Sequence, residues 1–135
     1  IVIISYINKN FDILKKNLLA GYILTCVGDE RCFSYMPSRK GNTVSDNFAL
    51  EVFKKIKGKK KYYSWLDRAS DERQYCAPGV DLPICSIMRS KYGSFKEYHS
   101  SLDRIGNVVT AKGLKESFNV YKKIIDNFEK SYFPT

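Results

Sequence analysis

The stretch EYHSSLD, Glu97 to Asp103, carries the only histidine of the chain, set between two carboxylates and beside paired hydroxyls. An imidazole in that setting can ligate a metal through one nitrogen while a carboxylate or carbonyl holds the other N–H and fixes the tautomer. Glu97 and Asp103 are the candidates for that supporting role. The same residue could instead be a general base, or a structural histidine satisfied by its turn. A Ser-His-Asp triad is the rival, but no G-x-S-x-G nucleophile turn occurs in the sequence.

A second concentration of chemistry lies in DRASDER, where Asp67, Arg68, Asp71, Glu72 and Arg73 crowd together. Exposed ion pairs of this kind are ordinary and stabilise little. Here, though, they fall between the aromatic Tyr62, Tyr63 and Trp65 and the turn at Pro78–Gly79, a setting that also suits a binding site. Arg68, Arg73 and Arg89 offer planar donor forks for a carboxylate or a developing oxyanion, and Tyr75 and Tyr98 could shape a pocket.

The elements that must hold these loops read as alternating helices and short apolar strands. IVIISYINKN is ambiguous between strand and helix, and FDILKKNLL has a short helical spacing. GYILTCV, between Gly21 and Gly28, reads as an interior strand buried on both faces. Cys32 to Met36 suits a further strand. Thr43 with Asp46 forms a capping-box start for a helix to about Lys57, with Phe48, Val52, Phe53 and Ile56 as its apolar stripe and Gly58 as its stop. KYYSWL and LPICSIMR read as strands. Thr110 caps a last helix that turns Leu114, Phe118, Tyr121, Ile124, Ile125 and Phe128 inward. The pattern predicts an α/β fold, a layered sheet with helices on both faces. Ligands in such folds gather beyond the carboxyl ends of strands. The polar loops Asp67–Asp81 and Ser90–Asn107 both follow strands, so both are expected at one edge of the sheet.

Composition narrows the partners. The 135 residues are 44% hydrophobic and 14% aromatic, enough for one packed domain and against disorder. The net charge of +9 is concentrated in KKIKGKKK, Lys54 to Lys61. With no nucleic-acid-binding signature beside it, that run reads as a solvated Lys-rich face, and nucleic acid is not the expected partner. No apolar run approaches the length of a membrane span. The four cysteines lack C-x-x-C spacing, and free thiols with a cytoplasmic location are expected. A start at Ile1, with no signal-peptide pattern, reads as a boundary within a longer protein.

RASDERQYCAPGVDLP followed by MRSKYGSFKEYHSSLD resembles the C-terminal half of an M28-type zinc aminopeptidase, where S-D-H-x-x-F precedes a G-I-P strand and then Y-H-T-x-x-D. More narrowly, it is similar along the whole chain to the bacterial aminopeptidase-like family DUF4910, often associated with polysaccharide-biosynthesis gene neighbourhoods. The resemblance implies that residues 1–135 are the C-terminal portion of one aminopeptidase-like domain, truncated on its N-terminal side, with a partial zinc-exopeptidase (phosphorylase/hydrolase-like) fold.

It further implies that His99 is a zinc ligand, that Asp103 matches the motif's following Asp, and that Asp71 matches the Asp of S-D-H. Glu72 stands where that motif has His. Thr25 stands where the family's l-D-x-x-G strand supplies a metal-binding Asp, and a hydroxyl replaces a carboxylate poorly. Asp29 or Asp71 would have to substitute. The first His, the bridging Asp and the general-base Glu are expected upstream. The implied activity is amide or peptide hydrolysis of a peptide or amide-bearing small molecule by the complete protein, with this chain alone inactive and not holding zinc tightly. A homo-oligomer is compatible with this reading. The alternative is a non-catalytic aminopeptidase-like binding module, linked to polysaccharide biosynthesis.

Overall fold

Thr43 starts the helix around which the domain is organised. In the computed structural model, which describes residues 2–133, helix α2 spans Val44–Lys55. Thr43 Oγ1 accepts from the Asp46 amide while the Asp46 carboxylate accepts from the Thr43 amide at 3.0 Å, the reciprocal pair that the sequence predicted. Asp46 does more than cap. Fully buried, it also accepts from Tyr35 Oη at 2.6 Å, from the Ser38 amide at 2.9 Å and from the Ser38 hydroxyl. The helix start is thereby tied to the end of strand β2, Phe33–Met36.

The sheet is small and mixed. Its strands are β1 (Gly21–Tyr22), β2, β3 (Lys60–Tyr62) and β4 (Ile84–Met88), in the order β1-β4-β2-β3. β1 runs parallel to β4, β4 antiparallel to β2, and β2 parallel to β3. Strand alternation then assigns the two faces. Phe33, Tyr35, Cys85 and Ile87 point to one face, where they pack with Ala49, Val52 and Phe53 of α2 and with Val120, Tyr121 and Ile124 of helix α4, Ala111–Tyr132. The opposite face carries Ile84, which packs with Cys76, Leu82 and residues Leu14 and Leu18, at and just beyond the end of helix α1, Val2–Asn17. The short helix α3, Glu72–Tyr75, adds Tyr75 there. Helices therefore cover both faces, as the sequence predicted.

One reading left open is settled and two expectations change. The opening segment is helix, and α1 runs on through a kink at Asn10 (φ −119°), whose side-chain amide donates to the Tyr6 carbonyl at 2.9 Å. GYILTCV is not an interior strand but the edge of the sheet. It follows β4 through Ile23 N–H to the Cys85 carbonyl at 3.1 Å; the Tyr121 hydroxyl then stands between Ile23 and Ile87 and interrupts the ladder, and Cys26, at φ +49°, rejoins β4's end by accepting from the Arg89 amide at 2.8 Å. KYYSWL is strand only as far as Tyr62; Ser64 and Asp67 then cap a turn of 3₁₀ helix, Trp65–Asp67.

The last helix begins at Thr110 as expected but is rotated about its axis. Leu114, Phe118 and Ile125 remain 41%, 66% and 49% exposed, while Gly113, Ser117, Val120, Tyr121 and Ile124 face inward. Polar anchors set that rotation. A Cβ on Gly113 would lie 2.1 Å from the Gly28 carbonyl oxygen, so only glycine permits the first turn to dock there. Ser117 Oγ donates to the Val27 carbonyl at 2.7 Å, and Tyr121 Oη accepts from the Ile87 amide at 3.1 Å.

Asp46 makes folding pH-dependent in a defined direction. Burial alone would raise its pKa, but donors from Ser38, Tyr35 and Thr43 outweigh burial and hold the carboxyl below the ordinary range. A depressed native pKa contributes stability above the unfolded value of about 4, and that stability is lost as pH falls through the native value. Asp46→Asn is expected to lower the urea midpoint at neutral pH and to flatten its fall below about pH 4. Urea melts across pH check this; an unchanged acid limb would contradict it.

Candidate functional site

The two polar loops do not leave the same edge of the sheet. β3 is parallel to β2 and β4 is antiparallel to it, so the segments after β3 and β4 depart from opposite ends, and the same-edge expectation is corrected. They meet nonetheless, because the first loop folds back. Tyr92 Oη donates to Glu72 Oε1 at 2.5 Å and accepts from the Ala69 amide at 2.8 Å, while Glu72 Oε1 also accepts from the Ser70 amide at 3.1 Å. Glu72 is fully buried in this clamp, and burial with the adjacent carboxylate pushes the Tyr92 phenol well above its ordinary value. Its role here is to join the loops.

The rest of the first loop disperses. Arg68 lays its guanidinium over Trp65, 3.3 Å from the ring centroid, and donates to the Trp65 carbonyl at 3.2 Å. Asp71 and Arg73 are exposed. Tyr75 is half-buried beside Cys76 and Leu82, and burial with nearby Asp71 raises its pKa. Arg89 is buried, stacked over Phe33 at 3.9 Å and paired with Glu116 at 2.9 Å, which places it in the packing of α4.

His99 lies in the second loop, exposed, with its imidazole stacked on the Tyr98 ring at a centroid distance of 3.8 Å. Its backbone is left-handed, φ +57°, a conformation that side chains other than glycine adopt at a cost. Glu97, expected beside the imidazole, instead bonds Arg31 Nη2 at 2.9 Å. Its own amide and the Arg31 guanidinium hold that carboxyl below the ordinary range.

Tyr98 and Asp103 both line a cavity of about 280 Å³, whose other wall is Thr25, Cys26 and Asp29 at the end of the edge strand. The structure therefore brings the Thr25 position and the EYHSSLD turn to one concavity, with the His99 ring packed on a residue of its rim. Cys26 and Phe95 also line it, and neither was singled out from the sequence. Burial raises the Cys26 thiol pKa, so it is poorly suited to be a nucleophile.

Asp29 is not a free ligand. Buried at the end of this wall, it accepts from the Ser90 amide at 2.8 Å, the Ser90 hydroxyl at 2.9 Å and the Arg31 amide at 2.9 Å. Both carboxylate oxygens are thus already engaged by donors of this chain. Among the described residues, no three His, Cys, Asp or Glu side chains converge as a metal would need. The four cysteines are unpaired thiols, and among the described residues no helix is long and apolar enough to cross a membrane.

The chain belongs to the family described as a domain of unknown function, DUF4910, whose model matches residues 1–131. It is 33% identical over 128 residues to a Clostridium acetobutylicum protein that bears the provisional name of a polysaccharide biosynthesis protein with an aminopeptidase-like domain. That alignment covers 95% of this chain and 29% of the relative. A crystal structure of a provisionally named peptidase from the same organism matches with a TM-score of 0.84 at 31% identity, covering 93% of this chain and 29% of that one. The chain thus spans less than a third of the relatives it matches.

The left-handed backbone at His99 gives a direct check on what the imidazole is for. His99→Gly relieves that backbone and is expected to leave stability equal or higher, within about 1 kcal/mol, whereas His99→Val is expected to lower it. Thermal melts of both variants test this. A His99→Gly protein that melts far below wild type would show instead that the ring holds the turn.

Proposed function

We propose that this chain is part of an aminopeptidase-like hydrolase that cleaves a peptide or amide bond, and that the Tyr98 cavity is its contribution to the active site. The observation that carries this reading is the meeting of the strand end at Thr25–Asp29 with the turn holding Tyr98, His99 and Asp103 around one cavity. Those are two of the segments in which the M28-type resemblance lies; the third, SDERQY, lies outside the cavity wall. Membership of DUF4910 and the names of the Clostridium relatives support the aminopeptidase-like assignment.

In this reading His99 is exposed because its co-ligands for zinc belong to the remainder of a relative-length protein. Asp103, on the cavity wall, is the candidate to steady the imidazole, since Glu97 is engaged by Arg31. Tyr98 orients the ring by stacking. Asp71, Arg73 and Tyr75 are left as outer residues of the first loop, and Arg68 and Arg89 are occupied by Trp65 and Glu116. When bound, zinc would polarise a carbonyl and acidify a water, which needs a general base that this chain is not proposed to supply.

A non-catalytic module is favoured by one observation, the hydroxyl of Thr25 standing on the cavity wall where the family pattern has a carboxylate. Metal content separates the two readings. In the relative-length protein, zinc is expected to bind, His99→Ala to weaken it strongly, and Asp103→Asn to weaken it about 10- to 100-fold with the fold intact. Chelator competition with circular dichroism measures this. A folded His99→Ala protein that holds zinc as tightly as wild type would remove His99 from the site. The 135-residue chain alone is expected to show no turnover of aminoacyl-nitroanilides with added zinc. Chelator-sensitive turnover that His99→Ala abolishes would show the site to be complete already.

A further inference from the structure

Beside the Tyr98 cavity lies a second concave surface, and its charge is unbalanced. Arg31, Lys59, Lys61 and Lys96 line a cleft of about 320 Å³ in which, among the described residues, Glu97 is the only carboxylate. They come from separate segments: the approach to β2, the strand β3 with the residue before it, and the loop after β4. Among the described residues, ion pairing accounts for Arg31 through Glu97 but not for Lys59, Lys61 or Lys96. Four cations around one carboxylate repel one another unless an anion joins them.

The lysine run does not simply coat this surface. Strand alternation sends Lys60 to the other side, where its Nζ donates to the Lys54 carbonyl at 2.9 Å, while Lys59 and Lys61 share the cleft. Arg31 is also held in place. Its amide donates to Asp29, Glu97 takes one Nη, and its guanidinium lies 5.5 Å from the Phe95 ring centroid. Phe95 forms part of the wall of both the cleft and the Tyr98 cavity, so a ligand in one would adjoin the other. Ser90 and Ser94 also line the cleft, but their hydroxyls donate to Asp29 and to the Lys91 carbonyl, which leaves recognition to the cations.

We propose that this cleft binds the phosphate or diphosphate group of a small molecule, held by Lys59, Lys61, Lys96 and the free donors of Arg31. The charge excess exceeds what one carboxylate could neutralise and suits an oxyanion carrying two or more charges. The volume is that of a small-ligand pocket. The cleft is independent of whether the neighbouring cavity hydrolyses an amide.

Calorimetric titration of the chain with pyrophosphate at roughly physiological salt tests it. Saturable binding with one site is expected, weakened about tenfold or more in Lys59→Gln/Lys61→Gln and measurably in Lys96→Gln. Lys54→Gln/Lys57→Gln removes the same charge outside the cleft and is expected to change affinity less than about twofold. Folding of each variant is confirmed by circular dichroism, and Lys96→Gln carries the test if the double variant does not fold. Absent saturation, equal weakening by the control pair, acetate binding as tightly as pyrophosphate, or tighter binding of an oligonucleotide would each overturn the proposal.

Discussion

The carboxylate of Asp29 is the constraint on which both candidate surfaces depend. It gathers the Ser90 amide, the Ser90 hydroxyl and the Arg31 amide into one buried cluster. Hydrogen bonds to a charged acceptor contribute about 1.5–3 kcal/mol each, and a buried donor left without a partner costs a comparable amount. The chain leaving the edge strand is thereby pinned to the chain leaving β4, just beyond the bond of the Arg89 amide to the Cys26 carbonyl at 2.8 Å. On one side of the pin Thr25 and Cys26 wall the Tyr98 cavity; on the other Arg31 enters the cationic cleft.

The docking of α4 reinforces the same place. Its N-terminal Thr110 amide donates to the Gly28 carbonyl at 2.9 Å, and Gly113 accepts that backbone at a distance no side chain would allow. On the other face of the sheet, Glu72 and Tyr92 pull the first loop over the start of the second. Rigid backing behind a mobile or exposed turn is the usual arrangement for a site whose geometry must hold. His99 itself is exposed and held in a left-handed backbone conformation.

What was legible in the sequence was what local chemistry decides. Thr43 with Asp46 and Thr110 announced the two core helices because capping depends on residues three positions apart. The family was legible because SDERQY and EYHSSLD are contiguous motifs. Long-range polar choices were not. Nothing in GYILTCVGD shows that Asp29 will meet Ser90, or that the Tyr121 hydroxyl will stand between Ile23 and Ile87 and interrupt the ladder. Periodicity placed Leu114 and Phe118 inside, whereas the close approach of Gly113 to the Gly28 backbone and the bonds of Ser117 and Tyr121 to backbone carbonyls turned those apolar side chains outward. The same-edge expectation failed for a similar reason, since strand direction is not encoded in the strands' own residues.

If Asp29 organises both surfaces, its loss should loosen them while sparing the helical core. Amide hydrogen exchange of Asp29→Asn against wild type measures this most directly. Faster exchange is expected at Arg31, Ser90 and the following loop to Asp103, with protection at Val52, Phe53, Val120 and Ile124 retained. Unchanged protection at Ser90 and Arg31, or a uniform loss across the whole domain, would contradict the dependence of the two surfaces on this one carboxylate.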